Sequence, residues 1–205
     1  MHQEALTLKA RKIFPDFKHF PGFYLAGGTG LALQLGHRVS IDFDFFQKKY
    51  ISKTLLSKIK KVFNGSKIKL VINHPEQLTV IVDGVNVSFI RYPFPIASKL
   101  IDYQGIKIAS CLEIAAMKAY TLGRRATLKD YVDLYFVLHN SIANLQEVVD
   151  ISEKKYRDNF NTRLFLEQLV YSKDVEKVKI KFLKGEITQT QMQIFFEQEI
   201  KKLKL

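Results

Sequence analysis

The chain has 205 residues, 47% of them apolar and 12% aromatic, the make-up of a protein that folds around a core and not of a disordered or fibrous one. A single cysteine excludes an internal disulfide, no apolar run is long enough to cross a bilayer, and the N-terminal MHQEALTLKARKIF lacks the apolar heart of a signal peptide, so a soluble protein of the cytoplasm with no membrane partner is expected. With 32 Lys and Arg against 20 Asp and Glu the formal net charge is +12, which serves solubility or favours a polyanionic partner such as RNA, DNA or a phosphorylated substrate.

Residues 3–14 carry a helical apolar period, and GFYLA (22–26) reads as a strand. TGLALQL (29–35) is a short helix stopped by Gly36, because glycine takes the left-handed conformation that ends helices. RVSIDFDFF (38–46) alternates as a strand with Val39, Ile41, Phe43 and Phe45 on a core face and Ser40, Asp42 and Asp44 on the other. An amphipathic helix over ISKTLLSKIKKVF (51–63) leads through Asn64-Gly65 into a strand, KIKLVI (67–72). QLTVIV (77–82) and VNVSFI (85–90) flank Asp83-Gly84, a dipeptide suited to the two positive φ angles of a type I′ hairpin turn. RYPFP then closes the β-rich half, since its prolines cannot donate to a sheet ladder. Ser110 with Glu113, and Thr127 with Asp130, have capping-box spacing and predict two helices, the first to about Gly123 and the second through DYVDLYFVL. From about Ala143 the pattern stays helical and lysine-rich, and a boundary near Ala109 divides a mixed core (1–109) from a helical C-terminal region (110–205).

The two aspartates raise a chemical question. Carboxylates two residues apart on one strand face have backbones roughly 7 Å apart and repel each other unless a cation lies between them. Hard oxygen ligands of this kind suit Mg²⁺ or Mn²⁺; the alternative is a solvated polar face paired with lysines. Upstream, LAGGTG leaves a strand and opens a helix, so backbone N–H groups of Gly27, Gly28 and Thr29 can approach a phosphate with no side chain in the way. Together the elements suit a nucleoside triphosphate with its divalent ion. Arg38, on the same strand face as the aspartates, is placed to hold them or a phosphate, and Ser40 shares that face.

At this point GGTGLALQLGHRVSIDFDFF resembles the signature of the nucleotidyltransferase superfamily, and AAMKAYTLGRRATLKDYVDLYFVL (115–138) resembles the downstream block of the AbiEii/AbiGii toxin family. The resemblance spans roughly residues 22–140. It implies an α/β (α+β) fold with a nucleotidyltransferase-like mixed sheet, flanking helices and a helical C-terminal part. It also implies metal-dependent transfer of a nucleotide from an NTP to an RNA, such as a tRNA 3′ end, or to a protein hydroxyl, by the toxin of a toxin-antitoxin or phage-defence system with a cognate antitoxin. On this pattern Asp42 and Asp44 are the metal ligands, Gly27, Gly28 and Thr29 the phosphate turn, and Lys118, Lys129, Asp130 and Asp133 the downstream block. Lys118 can meet triphosphate charge, and Lys129 with Asp133 has the spacing of a helical ion pair.

One part of the pattern is missing. Superfamily enzymes usually carry a third carboxylate on a neighbouring strand to take the proton of the attacking hydroxyl, but in VNVSFI the corresponding face presents Asn86 and Ser88. Asp83 is nearby, with a turn role. The competing expectation is therefore a non-catalytic nucleotide- or RNA-binding protein that kept the fold; a small-molecule nucleotidyltransferase, which would favour an acidic pocket, fits the lysine excess poorly. Cys111 reads as a packed side chain, His37 after the helix-ending Gly36 as a structural residue with phosphate contact the alternative, and Arg124 and Arg125 as charge near a helix end.

Overall fold

Seven strands and eight α-helices make up the described residues, 1–124, 127–171, 175 and 178–203, of a computed structural model. The strands are β1 (Tyr24–Ala26), β2 (Phe43–Gln47), β3 (Ile68–His74), β4 (Gln77–Val82), β5 (Val85–Arg91), β6 (Ile101–Tyr103) and β7 (Ile106–Ile108). They form one mixed sheet in the order β3-β4-β5-β2-β1-β7-β6. β2 runs antiparallel to β1 and parallel to β5, which sets Asp44 beside Ala26 on one side and Ser88 on the other.

The period-2 pattern explains which face is which. Phe43, Phe45, Val80, Val82, Val87 and Phe89 point to one side and are buried with α1 (Leu8–Ile13), a 3-10 segment (Phe14–His19) and α3 (Leu55–Val62). Phe17 lies at the centre of this layer, its ring centroid 4.5 Å from that of Phe45 and 4.8 Å from that of Phe43. Each such phenylalanine contributes about 1.5–3 kcal/mol by leaving water. The remaining helices, α2 (Gly27–Leu35), α4 (Cys111–Leu122), α5 (Leu128–His139), α6 (Leu145–Tyr156), α7 (Thr162–Val170) and α8 (Gln189–Ile200), bury a second core that joins Leu31 and Leu35 to Ile114, Leu134 and Phe196. This second core meets the sheet on the face that carries Asp44.

Several expectations change on contact with the structure. The strand begins at Phe43, not Arg38, because residues 38–42 have only isolated bridges, Ser40 to Leu6 and Arg38 to Phe182; Ile41 is therefore 50% exposed and not in the core. The single helix expected over 3–14 is a 3-10 turn, α1 and a second 3-10 segment, broken where Pro15 cannot donate an N–H. A third hairpin, β6–β7, follows RYPFP and adds β7 parallel to β1; its turn, Gln104-Gly105, takes φ of 56° and 77°. Asp83-Gly84 does form the expected positive-φ turn, and the Asp83 carboxylate accepts from Lys67 N at 2.9 Å.

Capping follows a similar course. Ser110 caps α4 through Glu113 N, but the Glu113 carboxylate does not return to the cap, and Thr127 makes no cap hydrogen bond. Full capping boxes occur instead at Asn144–Glu147 and Thr188–Gln191. Glu113 is diverted into a fully buried ion pair with Lys155, where its carboxylate also accepts from Ala97 N at 2.9 Å and Ser98 N at 3.0 Å while Lys155 donates to Pro95 O at 2.6 Å. The pair thus ties the loop after β5 to α4 and α6. Removing one partner leaves a charge buried alone, so Lys155→Met should lower the unfolding free energy by about 3–5 kcal/mol in urea titrations, and adding Glu113→Gln should recover part of the loss.

Candidate active site

A cleft of ≈ 250 Å³ opens where the start of α2, the segment 38–44, α4 and the start of α5 converge, and Gly28, Thr29, Asp42, Asp44, Lys118 and Asp130 line it. Gly27 opens α2 with φ of +63°, and a Cβ built there would sit 3.2 Å from Asp44 Oδ2. Only glycine lets the turn pass this close to the carboxylate. The helix has Ala26 at its N-cap, which supplies no side-chain acceptor, and the positive end of α2, with Gly28 and Thr29, faces the cleft beside Asp44.

Asp42 and Asp44 are both half-buried and both line this cleft. Mg²⁺ binds through one or two carboxylates and fills its octahedron with water and substrate phosphate, so a two-carboxylate donor set beside the start of α2 fits such an ion. Among the described residues no group of three or more His, Cys, Asp or Glu is placed to hold a metal. Asn86 donates to Asp42 Oδ1 at 3.2 Å, and Ser88, in register with Asp44, shares a hydrogen bond with Thr79 at 3.1 Å. The position where a third carboxylate would lie is thus held by an amide and a hydroxyl.

Thr29 and Ser40 act on backbone. Thr29 is buried, its hydroxyl bonded to Ser40 Oγ at 2.7 Å and donating to the carbonyl of Asp42. These two side chains fix the peptide that carries the first aspartate.

Behind the cleft lies a charge cluster centred on Asp133, which has no solvent exposure. Arg38 forks onto it, Nε at 2.7 Å and Nη2 at 2.9 Å, His37 Nε2 donates at 2.8 Å and Lys118 Nζ lies 2.9 Å away. Lys118 also reaches Asp130 Oδ1 at 2.6 Å, and Thr127 donates to Asp130 Oδ2 at 2.7 Å. Burial alone would raise the Asp133 pKa, but Arg38 and Lys118 and the hydrogen bonds from His37 and Arg38 outweigh it and hold the carboxyl well below its ordinary range. Burial likewise opposes the Lys118 ammonium, and Asp133 and Asp130 overcome it, so its pKa is raised. A carboxylate so strongly held as its anion is a poor proton acceptor, which removes Asp133 as a substitute base.

The network revises several sequence expectations. Arg38 forks onto Asp133, and Gly28 gives its guanidinium room: a Cβ at Gly28 would lie 2.3 Å from Arg38 Nη2. Lys129 does not pair with Asp133, which faces inward; it lines the cleft wall. His37 is buried against Asp133, with Nδ1 making no hydrogen bond to a described residue. Cys111 is half-buried, donates to Gln34 Oε1 at 3.3 Å, and burial pushes its thiol up to about 11, away from nucleophilic character. Arg124 bonds the carbonyls of Tyr120 and Asn159, and Arg125 lies outside the described residues. Sequence reasoning missed Lys179 and Lys181, which line the cleft from VKIKF (178–182), an extended, alternating stretch inside the region expected to be helical.

Because the Asp133 pKa is depressed in the folded state, its contribution to stability is present above the unfolded value of about 4 and is lost as pH falls through the folded value. Asp133→Asn should cost about 3–5 kcal/mol at pH 7 by stranding Arg38 and Lys118, and should flatten the acid limb of a stability-against-pH curve measured by urea denaturation.

The family model described as nucleotidyl transferase AbiEii toxin, type IV TA system, matches residues 10–108. An uncharacterized protein of Aquifex aeolicus is 34% identical over 160 residues, 76% of each chain. Among solved structures, JHP933 from Helicobacter pylori superposes with a TM-score of 0.56 at 17% identity, over 96% of this chain and 94% of that one. The nucleotidyltransferase toxin MenT4 of Mycobacterium tuberculosis gives 0.58 at 17% identity, over 98% and 88%. At these identities the structural likeness establishes the fold, a nucleotidyltransferase-like mixed sheet with flanking helices. The family-model match takes in both the glycine turn and the aspartate pair, and the chain belongs to the AbiEii nucleotidyl transferase toxin family.

Proposed function

We propose that the cleft binds a nucleoside triphosphate with Mg²⁺ or Mn²⁺ on Asp42 and Asp44 and transfers its nucleotidyl group to a hydroxyl of RNA, as the toxin of a toxin-antitoxin pair acting in the cytoplasm. The observation that carries the reading is the convergence on one cleft of both carboxylates with the Gly27-Gly28 turn at the positive end of α2. The net charge of +12 supports a nucleic-acid acceptor, because a basic surface attracts a phosphate backbone at a distance. Among the described residues no helix is long and apolar enough to cross a membrane.

In the reaction the acceptor oxygen bonds to the α-phosphorus, the bond from that phosphorus to the α–β bridging oxygen breaks, and pyrophosphate leaves with the electron pair while the hydroxyl proton passes to solvent. A divalent ion held by Asp42 and Asp44 would supply charge neutralisation and make the acceptor hydroxyl more acidic, which would lessen the need for a protein base. The chain's own residues orient the parts: Thr29 and Ser40 hold the Asp42 peptide, Asn86 steadies its carboxylate, and the Gly28 and Thr29 N–H groups meet phosphate. Lys118 and Asp130 act as positioning residues that keep α4 and α5 against this floor.

A second reading, a binding protein without transfer activity, is favoured by one observation, the amide and hydroxyl of Asn86 and Ser88 beside the aspartates. Incubation with Mg²⁺, each labelled NTP and total tRNA separates the two. Asp42→Asn with Asp44→Asn should abolish Mg²⁺-dependent NTP binding in calorimetry and lower transfer at least about a hundredfold, the scale of several kcal/mol from a bound metal; unchanged binding refutes the site. Nucleotide binding with no transfer to any RNA or protein acceptor would establish the second reading. If transfer occurs, Ser88→Asp should tighten metal binding and preserve or raise the rate.

A further inference from the structure

Residues 178–184 lie as a strap along the cleft. Val39 N donates to Lys181 O at 2.8 Å, Leu183 N donates to His37 O at 2.9 Å, Arg38 bridges antiparallel to Phe182, and Lys184 Nζ donates to Leu35 O at 2.6 Å. Side chains of an extended segment alternate, so Ile180 and Phe182 turn in against the helical core while Lys179 and Lys181 are exposed and line the cleft. Lys129, at the start of α5, faces the same space.

Among the described residues, the cations that line the cleft fall into two sets. Arg38 and Lys118 are already matched by the buried carboxylates of Asp133 and Asp130. Lys118, to which the sequence pattern gives triphosphate charge, is thereby held in the floor. Lys129, Lys179 and Lys181 form no ion pair with a described residue. A divalent ion would neutralise Asp42 and Asp44, which leaves the charge of a triphosphate to be met by these three lysines.

We propose that Lys129, Lys179 and Lys181 form the seat of the two terminal phosphates of the nucleotide, and of the pyrophosphate that leaves, with the strap supplying two of the three cations. The proposal rests on the nucleotidyltransferase reading above. The three lysines line one half-open cleft of ≈ 250 Å³ together with Gly28 and Thr29 at the start of α2, a space on the scale of a polyphosphate and not of a length of RNA backbone. Each is a flexible point charge with three donors, suited to phosphates that must be released.

The test uses the full chain carrying Lys179→Ala and Lys181→Ala, both at exposed positions, with folding checked by circular dichroism. Titration calorimetry with Mg²⁺ compares α,β-methylene analogues of the four ribonucleoside triphosphates, the matching monophosphates, and pyrophosphate alone. Triphosphate and pyrophosphate affinity should fall about tenfold or more while monophosphate affinity holds, and the Lys179→Arg/Lys181→Arg variant should retain most of the binding. Unchanged triphosphate and pyrophosphate affinity overturns the seat, and a loss confined to RNA binding overturns it in favour of an RNA contact. Native binding that disappears in Asp42→Asn/Asp44→Asn but survives in the strap variant removes the seat alone. Native protein that binds no triphosphate with Mg²⁺ removes the nucleotidyltransferase reading and the seat with it.

Discussion

A carboxylate sealed from water has to be met by donors on every side, and Asp133 meets this demand with Arg38, His37 and Lys118. Two of those residues follow α2, one belongs to α4, and Asp133 itself lies on α5. The chain segments that make the cleft are therefore fixed to one another through a single side chain. Coulomb attraction in a dry interior is strong but short of directional choice; the bidentate fork of Arg38 adds the direction, because two parallel N–H bonds set the plane of both groups. Replacing Arg38 by lysine would keep charge and lose that plane.

From this fixed floor the rest of the cleft follows by geometry. The Arg38 guanidinium passes where a side chain on Gly28 would be, so Gly28 serves packing behind the turn as well as access in front of it. The backbone that continues from Arg38 passes through Ser40, locked to Thr29, before it delivers Asp42 and enters β2. Ile41 is turned outward as a result, a departure from alternation that places an apolar side chain at the cleft wall.

The sequence made some of this legible and hid the rest. The hairpin at Asp83-Gly84 could be read because its turn chemistry is local, and it fixes the phase of β5 that puts Ser88 beside Asp44. The glycine turn, the short helix and the aspartate pair could be read for the same reason, being separated by few residues. The Arg38–Asp133 fork joins positions 95 apart in sequence, and no local pattern announces it. The Lys129–Asp133 pair does not form, because helical spacing describes neighbours on an exposed face, whereas Asp133 is on the buried one. Lys179 and Lys181 alternate with Val178, Ile180 and Phe182, but five residues of period two inside a long lysine-rich helical pattern do not say which distant segment they lie against. The β6–β7 hairpin was missed because a glutamine sits where Asn or Asp would mark a positive-φ turn.

The strap also governs when the cleft becomes whole. Its bond from Leu183 to His37 closes a loop of 146 residues, 183 minus 37, whereas the glycine turn and the aspartates fall within a few turns of chain. Closing a long loop is slow because its entropy is lost before the contact returns anything, so β2 and α2 can be native while the strap is still searching. Backbone bonds and the packing of Ile180 and Phe182 hold it afterwards. The glycine turn and the aspartates are thus in place before the chain returns to complete the rim.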